Sequence, residues 1–112
     1  MKITSIRKAA ATVVQIAGSV DSLTSEEAQS FFDAQIGSDH TRLVADLSQV
    51  EYLSSAGLRV LLSAMKSTRQ RGGDLYLAGL QENVRQVLDL AGFTSIFKIF
   101  STVEEALDAF LP

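Results

Sequence analysis

The pattern of apolar runs in this 112-residue chain predicts an α/β domain. It is a small mixed β-sheet, with elements in the order β-β-α-β-α-β-α-β-α and helices mainly on one side. Two observations carry that prediction. Short runs rich in branched aliphatic residues, such as residues 12–17 and 43–47, alternate with longer stretches of helical period. Strand–helix–strand alternation requires parallel crossovers within one sheet. Two strand-like runs also precede the first helical stretch, so one edge of the sheet is antiparallel. The only proline is Pro112 and no Gly/Ser run is long enough for a linker, so residues 1–112 read as a single domain.

Residues 3–7 read as a short edge strand, joined through residues 8–11 to a strand at 12–17 that Gly18 ends. Residues 21–36 read as a helix. Thr24 and Glu27 fit a capping box, Glu26 and Glu27 suit the positive helix start, and Gly37 is the stop. Residues 43–47 have the apolar character of a central strand, followed by a loop at 48–54. A helix at 55–71 ends at Gly72-Gly73, and residues 75–78 form the next strand. Glu82–Leu90 is helical with Gly92 as its stop. Residues 96–100 form the last strand, and residues 102–111 a final helix capped by Thr102 with Glu105 three positions on.

Composition excludes several classes of function. With no cysteine there are no disulfides, thiolate metal sites or cysteine nucleophiles. One histidine leaves little from which to build a multi-histidine metal site or a His-based catalytic group, and no metal or cofactor is expected. A net charge of −3 argues against direct nucleic-acid binding through phosphate neutralisation. No apolar stretch reaches the roughly 18–20 residues that span a bilayer, and no secretory signal is evident. A cytoplasmic protein without membrane insertion is the expectation.

The helix at 55–71 carries the functional signal. At 100° per residue, Leu58, Leu61, Leu62 and Met65 fall on one arc, the expected sheet-facing side. Ser55, Arg59, Ser63, Lys66 and Gln70 line a polar flank. Val60 and Ala64 fall on the other side, beside Ala56, as a small apolar pair expected to be exposed and to dock a partner. Ser55 sits where the helix begins, with Ser54 an equally good cap. Serine at a helix start is most often a plain cap. The same unpaired amides and helix dipole would also stabilise a phosphate there, and Arg59 lies one turn on.

Residues 46–62, DLSQVEYLSSAGLRVLL, resemble the central motif of STAS domains, the family of anti-sigma factor antagonists and sulphate-transporter tails. In that family a strand ends in Asp-Leu-Ser, a short loop carries an aromatic residue, and a Ser-Gly-Leu segment starts a helix. Gly18-Ser19-Val20-Asp21 is similar to the family's turn after the second strand. Leu77-Ala78-Gly79 and Leu90-Ala91-Gly92-Phe93 resemble its later elements, so the resemblance spans the whole chain. It implies a non-enzymatic, partner-switching protein: an anti-sigma factor antagonist that binds an anti-sigma serine kinase. By this resemblance the kinase phosphorylates Ser55, with Ser54 the alternative acceptor, and a serine phosphatase resets the switch.

The family motif in well-studied antagonists is Asp-Ser-Ser-Gly-Leu. Aligned on Gly57-Leu58, Ser54 stands in place of its aspartate and Ala56 in place of its second serine. The implied partner surface comprises Asp21, Ser54, Ser55, Ala56, Arg59, Val60 and Ala64. The resemblance leaves room for a weak homodimer. It also carries an alternative: a constitutive subunit of a lipid-trafficking ATP-binding-cassette transporter, with no phosphorylation switch.

Other polar groups read as structural. Asp46 is expected to cap through Ser48 rather than act as a receiver-type phosphoacceptor, because no acidic pair follows the strand at 12–17. Asp39-His40 is a solvated loop pair. Lys66, Arg69 and Arg71 complement the dipole at their helix end.

Overall fold

The computed structural model describes residues Met1 to Pro112. β1 (Lys2–Arg7) and β2 (Thr12–Val20) form the expected antiparallel hairpin, with Arg7 opposite Thr12. β3 (Arg42–Leu53), β4 (Asp74–Ala78) and β5 (Lys98–Phe100) follow in parallel, giving one five-stranded sheet in the order β1-β2-β3-β4-β5. The helices are α1 (Ser25–Gly37), α2 (Ser55–Gln70), α3 (Glu82–Leu90) and α4 (Val103–Ala109). The element order is the one predicted.

Side-chain alternation along the strands feeds two cores. Val14, Ile16, Leu43, Ala45, Leu75 and Leu77 face α1, α2 and α3, and the larger core forms there around Phe32, Leu61 and Leu88. Val13, Val44, Tyr76 and Ala78 point the other way, onto Ala106 of α4. Tyr76 stacks on Phe110 at 3.9 Å between ring centroids. All five residues of β4 are buried, with Leu75 and Leu77 in the larger core and Tyr76 and Ala78 in the smaller one. No helix is long and apolar enough to cross a membrane.

The structure corrects several boundaries. Residues 48–54 are mostly strand, since β3 runs to Leu53. Leu43, Ala45 and Leu47 obey the two-residue period, but Val50 and Leu53 follow at steps of three. Register shifts between Gln15 and Ala17 and between Gly18 and Ser19 show why. Each bulge puts an extra β3 residue against β2 and returns an apolar side chain to the same face. β2 likewise runs through Gly18, whose φ of 95° makes it an irregular strand position and not a terminator.

α1 starts four residues later than expected. Thr24 occupies the cap position, but its hydroxyl accepts from the Asp21 amide at 3.0 Å and donates to the Ser19 carbonyl at 2.9 Å. It caps no helical amide, so the capping box with Glu27 does not form. Gly37 is the last helical residue, and the left-handed residue that turns the chain is Asp39, with φ 64°. His40 then donates its amide back to the Gln35 carbonyl at 2.9 Å, and its ring Nδ1 lies 3.0 Å from Gln35 Oε1. β5 begins at Lys98, two residues later than read, because Ile96 and Phe97 belong to the preceding turn.

Other expectations hold. Thr102 caps α4 through the Glu105 amide at 3.1 Å. Asp46 Oδ1 accepts from the Ser48 amide at 3.1 Å and its hydroxyl at 2.7 Å, although the pair sits inside β3 and not before a loop. Arg69 and Arg71 do more than face a helix end. Arg69 pairs with Asp74 at 2.8 Å, and Arg71 with Asp39 at 2.8 Å. These pairs tie the end of α2 to β4 and to the end of α1.

Gly72, with φ 83°, turns the chain out of α2 as expected. Gly73 has a different constraint: a Cβ there would lie 1.9 Å from the Thr41 carbonyl oxygen. Asp74 also donates its amide to that carbonyl. The obstacle is the backbone of the residue that leads into β3, so it cannot move aside as a side chain would. Gly73→Ala is therefore expected to lose at least about 3 kcal/mol of stability, the upper end of ordinary overpacking, in urea unfolding. Gly37→Ala, whose Cβ meets nothing within 4 Å, is the control and should stay within about 0.5 kcal/mol of the parent.

Candidate functional site

The sequence-predicted residues gather at the C-terminal ends of β2 and β3, where α1 and α2 begin. Parallel strands followed by crossover helices bring helix N-termini to this end of the sheet. β2 and β3 stay paired to Val20 and Leu53, so the next residues of both chains leave the sheet side by side.

Ser54 fixes the start of α2. Its backbone is extended, with φ −86° and ψ 176°, and its amide donates to the Val20 carbonyl at 3.0 Å. Its hydroxyl donates to the same carbonyl at 3.3 Å and accepts from the Gly57 amide at 3.3 Å. Ser54 is thus the N-cap. This settles which of the two serines caps the helix: Ser55 is not the cap but the first helical residue, and it is exposed. Gly57 lets the first turn press onto the sheet. A Cβ there would come within 2.6 Å of both the Val20 carbonyl oxygen and Leu53 Cδ1.

Asp21 lies at the same end but serves the turn into α1. Its Oδ1 accepts from the Leu23 amide at 2.9 Å and the Thr24 amide at 3.2 Å. That is an Asx-type turn, in which a short carboxylate stands in for a backbone carbonyl. The turn holds Leu23 outward, 91% exposed. Tyr52, on the bulged end of β3, is 53% exposed nearby in the fold.

Ala56, Arg59 and Val60 line a shallow groove between the first halves of α1 and α2, facing Ser25, Glu26 and Gln29. Arg59 is exposed. The expected exposed pair of Val60 and Ala64 does not exist: Val60 is 5% and Ala64 1% exposed, and both belong to the larger core. α2 packs against α1 as well as the sheet, so its buried arc is wider than a sheet-only helix would need. Val60 still shows a little surface at the groove, whereas Ala64 lies too deep to meet a partner. Past Val60, Gln29 Nε2 approaches Ser63 Oγ at 3.4 Å.

Sequence reasoning did not single out Leu23 or Tyr52. Leu23 had a readable signal, an isolated apolar residue inside the polar turn Asp21-Ser22-Leu23-Thr24. Two further side chains buttress this end from α3 and its approach. Gln81 Nε2 donates to the Ser48 carbonyl at 2.9 Å, and Asn83 Nδ2 donates to the Glu51 carbonyl at 2.6 Å. Both carbonyls belong to the bulged half of β3, and their partners were not legible while that half read as loop.

This geometry offers an accessible hydroxyl at a helix start, a cation one turn along, and apolar surface at Leu23 and Tyr52. The first amides of α2 and its dipole favour an anion at Ser55. The chain matches the STAS domain family model over residues 2–106. It is 37% identical over 110 residues to BtrV of Bordetella bronchiseptica, named as an anti-sigma factor antagonist, with 98% of this chain and 95% of that protein covered. Identity to the anti-sigma-B factor antagonist of Listeria monocytogenes is 31% over 84 residues, covering 75% of this chain and 74% of its relative. Among solved structures, an anti-sigma factor antagonist from Mycobacterium paratuberculosis superposes with a TM-score of 0.89 at 25% identity, covering 97% of this chain and 92% of that one.

The two adjacent serines should separate in stability measurements. Ser54→Ala removes the cap and is expected to cost about 1 kcal/mol, read as a lower urea midpoint at unchanged m. Ser55→Ala should lie within about 0.5 kcal/mol of the parent. Equal losses for both would show that the capping load is shared.

Proposed function

The chain belongs to the STAS domain family, and from that premise we propose that it is an anti-sigma factor antagonist switched by phosphorylation of Ser55. The observation that carries this reading is the division of labour between the two serines. Ser54 holds the helix cap with its hydroxyl engaged on both sides, while Ser55 is exposed on the first turn, in reach of a kinase. The names of the relatives support the antagonist role; the phosphoacceptor rests on the local geometry.

The proposed cycle follows from charge. The unmodified domain binds an anti-sigma serine kinase through the α2 start, the groove at Ala56, Arg59 and Val60, and the turn at Asp21. The kinase transfers the terminal phosphoryl group of its own ATP to Ser55 Oγ. The modified serine carries roughly −1.5 to −2 charges at neutral pH. On this side of the switch the helix amides and Arg59 tolerate the phosphate, so the domain stays folded. At the interface the added anion opposes re-binding, and a serine phosphatase restores the free hydroxyl. The domain is substrate and ligand in this scheme, with no catalytic residue or cofactor of its own, and it works in the cytoplasm.

Two measurements test this. Incubation with the host's anti-sigma kinase and ATP should place the phosphate on Ser55 by peptide mapping. Incorporation should disappear in Ser55→Ala and persist in Ser54→Ala. Ser55→Asp should bind that kinase at least about tenfold more weakly than the parent, as an interfacial charge placed without a partner does. Equal affinity of parent and Ser55→Asp, with no incorporation at Ser55, would overturn the switch. Stable co-purification with transporter subunits and an unmodified Ser55 would identify a constitutive subunit instead.

A further inference from the structure

The opposite end of the sheet from Ser55 holds a separate polar pocket. Its volume is about 250 Å³, and it lies where the β1–β2 hairpin meets the segment linking α1 to β3. Arg7 and Thr12 face each other across the hairpin, and Thr12 is in register with Leu43, so the ends of three neighbouring strands converge here. Arg7, Lys8 and Arg42 line the pocket, together with Thr12, Asp39 and His40. Thr12 is 2% exposed yet contributes to the lining, so what surface it keeps is turned into the pocket.

The charge balance of this end is uneven. Two ion pairs form in the molecule, Arg69 with Asp74 and Arg71 with Asp39. They take up the pocket's one carboxylate, Asp39, and leave Arg7, Lys8 and Arg42 without an acidic partner. These three come from the hairpin and the start of β3, so they are not last-turn cations of a helix. The α1 end that borders the pocket is already closed: Ser38, Asp39 and His40 return their amides to its last carbonyls, and Arg71 donates to the Ile36 carbonyl. A domain of net charge −3 thus concentrates three unpaired cations and a buried threonine around one concavity.

We propose that this pocket binds a small oxyanion of the phosphate class, free or as the phosphate group of a small molecule. Arg7 and Arg42 would supply charge-assisted hydrogen bonds, with Lys8 as a mobile point charge on the hairpin tip. The concave shape and small volume favour a compact anion over an extended polyanion. The site is independent of the Ser55 switch, since it lies at the other end of every strand.

Titration of the isotopically labelled full chain with inorganic phosphate, followed by amide NMR, tests this. Sodium chloride at matched ionic strength controls for screening. Saturable shifts confined to residues 7–12 and 39–42, absent with chloride, are expected. The double variant Arg7→Gln/Arg42→Gln should weaken binding by about tenfold or more, as loss of hydrogen bonds to a charged group does. Should that variant disturb the rest of the spectrum, Lys8→Gln carries the same comparison. Non-saturable shifts, identical shifts in chloride, or affinity unchanged in the variants would overturn the proposal. Glycerol phosphate, tested alongside, separates the two sources: tighter binding than inorganic phosphate points to a phosphorylated small molecule, and weaker binding to the free ion.

Discussion

The carbonyl oxygen of Val20 is the point on which the candidate functional end of this domain depends. It closes β2, receives both the amide and the hydroxyl of Ser54, and lies where Gly57 brings the backbone of α2 closest to the sheet. A single acceptor therefore couples the last residue of one strand to the cap and first turn of the next helix. The two-bulge register of β3 is what delivers Ser54 to that acceptor. With a regular ladder, β3 would need fewer residues to span the same length of β2, and Leu53 would not arrive beside Val20 on the core face. The bulges, the cap and the glycine form one device for placing the start of α2.

That device explains what could be read from the sequence and what could not. The order of elements was legible because each helix and most strands carry their own local period, and the stops at Gly72 and Gly92 have a left-handed backbone. The second half of β3 was not, because Leu47, Val50 and Leu53 follow a three-residue step that imitates neither strand nor helix. α1 begins later than expected because residues 21–24 form a turn held by Asp21, although Thr24 looks like a helix cap in sequence. In the fold its hydroxyl serves the Ser19–Asp21 turn instead. These are competitions between local patterns and longer-range hydrogen bonds, and the sequence shows only the local side.

The candidate site was legible in part for a related reason. Ser54, Ser55, Ala56 and Arg59 lie at the start of α2 as read, because a helix start has a local signature. Val60 and Ala64 were misplaced because a helical wheel shows how wide an apolar arc is, not how many neighbours cover it. The sheet alone would bury the arc centred on Leu58, Leu61 and Met65. The addition of α1 extends burial to Val60 and Ala64. Leu23 and Tyr52 take their place as the exposed apolar groups at this end. Neither lies on α2, so no analysis of that helix alone would have found them.

Ser54 also bears on the departure from the Asp-Ser-Ser-Gly-Leu pattern. An N-cap residue must be extended, which turns its side chain back toward the first amides of the helix. The residue after it has helical geometry and projects its side chain away from those hydrogen bonds. Position 54 is therefore suited to holding the helix and position 55 to being modified, whichever short polar residue occupies the first. Serine performs the capping that an aspartate would perform there, through the contact to Gly57 and with an added bond to Val20 that a carboxylate, having no proton to donate, would not make. What the replacement removes is a negative charge beside Ser55. Arg59 and the helix dipole are then left less opposed, and the local field around Ser55 becomes more favourable to a phosphate than in the Asp-containing motif. In the proposed switch, serine at position 54 would thus keep the helix start intact and shift the electrostatic bias toward the modified state.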